Sequence, residues 1–223
     1  MIPPPPPRSG ARLNVLEITA GTPADTLLVL LAGAYDPPQA FVQGGFIDAL
    51  RASGRAIDLV LVESDLAAVC DGSFAARIEC EILQPARARG HRRLLTGGIS
   101  IGALSALMHA DALPGGADGL LLLAPYPGDR TVTREIAAAG GLRAWRPADD
   151  YPANDERRGW RALRNLAAGG KLPLWLGYGA DDRFAAGHAL MAAALPEKDV
   201  CALPGGHDWP TWLALWQRWL AAG

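Results

Sequence analysis

Cysteine is scarce and odd in number in this 223-residue chain: Cys70, Cys80 and Cys201 are the whole supply. That count excludes a disulfide framework. Neither sign of charge is in excess, since 23 acidic against 21 basic side chains leave a formal net charge of −2. A nucleic-acid binder would concentrate basic charge instead, so no nucleic-acid partner is expected. Long hydrophobic runs are missing too. The longest, from Leu27 to about Ala34, has the length of a strand, far short of the ~20 residues of a membrane span. The amino end, Met1-Ile2 followed by Pro3 to Pro7, lacks the apolar core of a signal peptide and reads as a polyproline-like tail over residues 1–12. The four histidines show no paired metal-ligand spacing. Gly177-Tyr178-Gly179 follows a strand as a dinucleotide loop would, but Asp182 stands where the third glycine belongs. No metal or organic cofactor is therefore expected. What these absences leave is a soluble, cytoplasmic, single domain over residues 13–223, long enough to bury well over half of its unfolded surface.

Short apolar runs alternate with longer helical patterns, the signature of a mostly parallel sheet covered on both faces. Strands are expected at Leu13 to Thr19, Thr26 to Leu31, Ile57 to Val62, Arg92 to Thr96, Leu120 to Leu123, Leu172 to Tyr178 and Asp199 to Leu203. Helices are expected at Phe41 to Ser53, Phe74 to Arg89, Ser100 to His109, Phe184 to Leu195 and Thr211 to Ala222. The stretch from about 129 to 170 breaks the alternation and holds Trp145, Trp160 and several loop signals. It is expected to be a short insertion that lies over one end of the sheet as a lid.

Three turns carry chemistry. Gly98-Ile99-Ser100-Ile101-Gly102 lies directly after a strand and opens a helix, the context the G-x-S-x-G pattern requires. A strand that turns into a helix within one residue strains the serine backbone, and side chains two positions either side would collide. The hydroxyl then stands proud of the sheet, with helix N–H groups beneath it that favour developing negative charge. Gly179-Ala180-Asp181-Asp182 ends a late strand, where a carboxylate that orients a histidine would sit. One of the two aspartates can cap the helix that starts near Phe184 while the other faces the site. Pro204-Gly205-Gly206-His207 follows the last strand, whereas His91, His109 and His188 read as surface or packed residues. The order Ser, Asp, His, each at the carboxyl end of its own strand, separates this arrangement from triads that run His-Asp-Ser or Asp-His-Ser. Gly33-Ala34-Tyr35, at the end of an early strand, is suited to supply a second backbone N–H to an oxyanion hole.

On these residues the chain resembles the α/β-hydrolases from about Leu13 to its end. The resemblance covers Leu31 to Tyr35, Gly98 to Gly102, Gly179 to Phe184 and the histidine turn. The last, Gly205-Gly206-His207-Asp208-Trp209-Pro210-Thr211-Trp212, is similar to the Gly-x-His-x-Trp-x-x-Trp end of esterase-D-like carboxylesterases and small bacterial serine hydrolases. It departs from the family in having Ala32-Gly33 where a His-Gly pair is usual, and in its short lid. The resemblance implies Ser100 as nucleophile, His207 as base and, by the family's spacing, Asp182 rather than Asp181 as the acid. Oxyanion donors would be the N–H of Ile101 and that of Ala34 or Tyr35. The implied activity is hydrolysis of a small-molecule ester or thioester with a short acyl group; an acyltransferase, or a hydrolase-fold protein that only binds a ligand, are the alternatives.

The remaining aromatics divide between pocket and core. Trp145, Tyr151 and Trp160 from the lid, with Tyr126 and Tyr35 from neighbouring turns, are expected to narrow the entrance with apolar surface. Trp209 either shapes the pocket or packs. Trp212, Trp216 and Trp219, spaced four and three apart, read as core packing. Arg157, Arg161 and Arg164 share one helical face and read as a solvated face or as a site for an anionic substrate group.

Overall fold

The structure, a computed structural model, describes residues 12–222, so the proline-rich tail lies outside the described residues apart from Arg12. Strands β1 (Val15–Ile18), β2 (Thr26–Leu31), β3 (Ile57–Val62), β4 (Arg93–Ile99), β5 (Gly119–Leu123), β6 (Leu174–Gly179) and β7 (Val200–Leu203) form one sheet in the order β1-β3-β2-β4-β5-β6-β7. Only β1 runs antiparallel to its neighbour; β2 pairs in parallel with both β3 and β4, and the remaining pairs are parallel. The mostly parallel sheet inferred from the alternation is the one observed.

Helices α1 (Gln39–Gln43), α2 (Phe46–Ser53), α3 (Leu66–Asp71), α4 (Phe74–Ile78), α5 (Gln84–Ala88), α6 (Ile101–Ala112), α7 (Arg130–Ala138), α8 (Arg157–Ala167), α9 (Ala185–Ala192) and α10 (Trp209–Ala222) cover both faces. Strand β2, inside the sheet between β3 and β4, explains why two layers are needed. Leu27, Val29 and Leu31 point into one core with Phe74, Trp160 and Leu163, while Leu28 and Leu30 point into the other with Phe41, Phe46 and Trp216. A strand apolar on both faces is stable only where both are covered, and each fully buried leucine contributes about 2 kcal/mol. None of the helices among the described residues is long and apolar enough to cross a membrane.

Four differences from the sequence reading are local. The helix expected over Phe41 to Ser53 is two helices, broken at Gly44-Gly45. A side chain at Gly44 would run into the Trp209 ring, and Gly45 has φ +79°, which breaks a helix. The helical run from Phe74 carries a π turn, Glu79–Leu83, before α5. There Glu79 meets His109 Nε2 at 3.3 Å and the Arg87 guanidinium at 2.9 Å. Strand β4 runs on through Gly97 and Gly98, which pair with β2 on one side and β5 on the other so closely that a side chain at either would collide with neighbouring backbone. Helix α3 escaped the sequence reading although Asp65 caps it, accepting the Ala68 N–H at 3.1 Å.

The segment 129–170 differs most from expectation. Its α8 is a covering helix of the sheet, laid against α6 so closely that a side chain at Gly159 would meet Leu104. Trp160 is fully buried and donates its indole N–H to the Pro127 carbonyl at 2.8 Å. Trp145 is 3% exposed, donates to Glu135 at 2.8 Å and stacks on Tyr151. Neither lines an entrance: indoles whose only polar atom finds a partner inside are favoured in the core. Of Arg157, Arg161 and Arg164, two are occupied. Arg161, together with Arg158, bonds Asp111 on α6, and Arg157 pairs with Glu135 and Asp155, whereas the buried Arg164 Nε has no hydrogen-bond partner among the described residues. Arg157, Arg158 and Arg161 fasten α8.

Candidate active site

The carboxyl ends of β2, β4, β5, β6 and β7 lie along one edge of the sheet, where ligands bind in open parallel sheets. Within the described residues, the non-glycine residues with positive φ are Tyr35 (67°), Ser100 (55°) and Ala124 (45°). Each follows one of three adjacent strands, β2, β4 and β5. Such backbone costs of order 1–3 kcal/mol per residue and persists where the surroundings enforce it.

At Ser100 the enforcement is visible. A side chain at Gly98 would strike the Leu31 carbonyl and the Gly102 backbone, and one at Gly102 would strike the carbonyls of Leu31 and Ala32. The two glycines let the elbow pass this close to β2. The Ser100 N–H donates to Leu123 at 3.1 Å, and its carbonyl accepts the Tyr126 N–H at 2.9 Å and the Leu104 N–H at 3.2 Å. The serine, 8% exposed, therefore has a fixed backbone and a hydroxyl at the start of α6.

That hydroxyl meets His207. Ser100 Oγ lies 3.0 Å from His207 Nε2, and His207 Nδ1 lies 2.7 Å from Asp182 Oδ2. The side chain of His207 is 8% exposed and that of Asp182 fully buried. Burial, the largest single influence, would raise the Asp182 carboxyl. Hydrogen bonds from His207 and the Phe184 N–H outweigh it and hold the carboxyl below the usual range. Asp182 stays ionised and fixes a proton on Nδ1, which turns the bare Nε2 toward the hydroxyl.

The two neighbouring aspartates divide their work differently from the sequence reading. Asp182 both holds the histidine and, with Oδ1, accepts the Phe184 N–H at 2.7 Å, the turn that leads into α9. Asp181 caps nothing there. Its carboxylate accepts the Gly205 N–H at 3.3 Å while its own N–H donates to the Gly205 carbonyl at 2.9 Å. It thereby fastens the loop that carries His207. Asp208 anchors the other side of that loop by accepting the Thr211 N–H at 3.0 Å.

Aromatic rings frame the imidazole. Phe184 and Trp212 stand edge-on to His207, each with its centroid 5.1 Å away, and Tyr126 lies edge-on to Phe184 at 5.4 Å. Tyr126 is thus one ring removed from His207, and Phe184, which sequence reasoning did not single out, is the ring between them; its place two residues after Asp182 was the available signal. Trp209 packs edge-on against Phe41, Phe46 and Trp212, the packing role of the two considered. Ala34 and Tyr35 are exposed in a turn closed by the Asp36 N–H on the Gly33 carbonyl at 3.3 Å. Leu31 pairs with Gly98 in the sheet, so this turn adjoins the elbow. Ile101 opens α6, where a first-turn N–H has no partner within the helix. A separate cavity of about 520 Å³, lined in part by Asp111, Leu113, Asn165 and Lys171, opens at the other end of the strands.

No protein-family model matches the sequence, and no curated protein does. Solved structures match over nearly the whole chain. The chain is similar to a ferulic acid esterase at TM-score 0.61 and 14% identity, covering 95% of this chain and 98% of that one. It is similar to S-formylglutathione hydrolase from Staphylococcus aureus at TM-score 0.60 and 12% identity, covering 94% and 89%. It is also similar to a fluorophosphonate-binding serine hydrolase of Staphylococcus aureus at TM-score 0.61 and 13% identity, covering 95% and 98%. The chain has an α/β-hydrolase fold.

Proposed function

We propose that the protein is a serine hydrolase that cleaves an ester or thioester of a small acyl group through an acyl-enzyme. The observation that carries this reading is the unbroken chain Asp182–His207–Ser100, with 2.7 Å and 3.0 Å links. It lies on an elbow whose serine is held at φ 55°. The names of the similar structures agree with the reading.

Ser100 Oγ attacks the acyl carbon as His207 Nε2 takes its proton. The new C–O bond forms while the carbonyl electron pair moves to oxygen. That oxyanion meets the Ile101 N–H and the N–H of Ala34 or Tyr35, each donor worth about 3 kcal/mol of transition-state stabilisation. On collapse the bond to the leaving oxygen or sulfur breaks, and Nε2 returns the proton to it. Water then attacks the acyl-enzyme, giving a proton to Nε2, which passes to Ser100 as the acid leaves. Asp182 remains a carboxylate throughout and stabilises the imidazolium formed twice per cycle. Phe184, edge-on to His207, and Tyr126 against Phe184 supply the apolar surface proposed to receive a short acyl chain.

A panel of p-nitrophenyl esters from two to twelve carbons tests the reading. The wild type is expected to turn over the short members, with the rate abolished in Ser100→Ala. A panel with no turnover, or turnover unchanged in Ser100→Ala, would contradict it.

A further inference from the structure

His188 on α9 takes no part in the chain from Asp182 to Ser100, yet it is fully buried within one residue of it. Its ring centroid lies 5.1 Å from Tyr178 and 6.5 Å from Phe184, the aromatic that stands against His207. Nε2 is 2.8 Å from the Pro125 carbonyl, and Nδ1 is buried without a hydrogen-bond partner among the described residues. A carbonyl can only accept, so the proton is on Nε2 and Nδ1 is bare. Burial, the largest influence, pushes the imidazole below its ordinary value and keeps it neutral.

The carbonyl it holds belongs to the turn that clamps the elbow. Leu123 accepts the Ser100 N–H and Tyr126 donates to the Ser100 carbonyl, so both faces of the serine's backbone rest on the segment 123–126. Between those two points stands Ala124 at φ 45°, a conformation an alanine adopts only under constraint. The Ala124 N–H is tied to the Gly177 carbonyl at 2.7 Å. The Pro125 nitrogen, being a proline's, has no hydrogen to donate. The Pro125 carbonyl is a further backbone handle on the strained turn, and His188 grips it.

We infer that His188 is a positioning residue: through the Pro125 carbonyl it holds the 124–126 turn that fixes the Ser100 backbone, and through Phe184 it backs the wall beside His207. The inference rests on the proposed serine-hydrolase reading. A histidine suits the place because it is rigid, fills an aromatic-sized space and presents one donor while remaining neutral. A cation there would oppose the positive charge that His207 acquires in each half-reaction.

The test compares His188→Met with His188→Gln. Both are unbranched and of similar size, and only Gln retains an N–H for Pro125. Rates on a short p-nitrophenyl ester are taken per active site titrated with a fluorophosphonate, so misfolded protein does not count. The Met variant is expected to lose 10- to 100-fold in kcat with KM changed less than threefold, and Gln to recover most of that loss. Equal loss in both variants, or a Met variant at wild-type kcat, would overturn the positioning role while leaving the hydrolase reading intact. A wild type that neither turns over ester nor takes the label would overturn the reading, and the inference with it. Should the Met variant not fold, nitrogen-15 NMR of the wild type decides. A proton on His188 Nε2 whose signal moves when Ser100 is phosphonylated supports the coupling; a signal that does not move overturns it.

Discussion

Asp182 grips His207 with one carboxylate oxygen, 2.7 Å from Nδ1, and with the other accepts the Phe184 N–H, also at 2.7 Å. One residue thus sets the histidine's tautomer and shapes the turn that brings Phe184 against it. Asp182→Asn keeps the turn but presents the histidine with the wrong hydrogen-bonding group. It is expected to lower kcat by about 10⁴-fold, as the same change does in a serine protease. Asp181→Asn, by contrast, alters only a 3.3 Å anchor on Gly205. It is expected to cost less than about tenfold in kcat and about 1 kcal/mol of stability, roughly one hydrogen bond. Steady-state kinetics on the two variants check this ranking.

Under the proposed reading, acyl-chain preference is set by the rings nearest His207. Phe184→Ala and Tyr126→Ala are expected to move the best substrate toward longer chains, since each added methylene that finds apolar surface contributes about 0.8 kcal/mol. Trp145→Ala and Trp160→Ala are expected to leave the chain-length profile alone and to destabilise the fold by about 3–5 kcal/mol, because both indoles are core. Profiles of kcat/KM over the ester panel, with denaturant melts, separate the two pairs.

Stability is expected to fall on mild acidification because of His188. Its folded value lies below the ordinary 6.5, so the unfolded chain takes up a proton that the folded one refuses. The contribution is fully present above about pH 6.5 and shrinks as pH falls below that. Asp182, depressed in the fold, adds a second loss that begins only as pH drops through the ordinary carboxylate range. His188→Gln removes the first loss and not the second, so its melting temperature is expected to stay flatter between pH 6.5 and 5 than that of the wild type.

Gly98→Ala tests the elbow's steric claim. The added methyl would fall on the Leu31 carbonyl and the Gly102 backbone, neither of which is a flexible side-chain tip. Activity is expected to drop at least about 100-fold, through displacement of a serine that catalysis requires in place to within a fraction of an ångström. A variant at wild-type rate would show that the elbow tolerates the space.

Much of this was legible in the sequence where local chemistry dictates the outcome. The run Leu27 to Leu31 is apolar on both faces and had to be a covered strand. The glycines around Ser100 mark an elbow through simple sterics. Other features depended on who packs against whom. Gly97 and Gly98 read as the start of a turn, yet they extend β4 because β2 and β5 lie close on either side. Trp145 and Trp160 read as surface for a substrate; only the docking of α8 on α6, fastened by Asp111 to two arginines, shows them to be core. The partnership of His188 with Pro125 crosses 63 residues of chain and leaves no local trace.

The most direct test of the account is mass spectrometry of the protein after treatment with a fluorophosphonate. The hydroxyl of Ser100, among the described residues the one serine bonded to a histidine that an aspartate orients, should carry a single adduct, absent from Ser100→Ala and strongly slowed in His207→Ala. An adduct on another serine, labelling undiminished in Ser100→Ala, or a wild type that takes no label would contradict it.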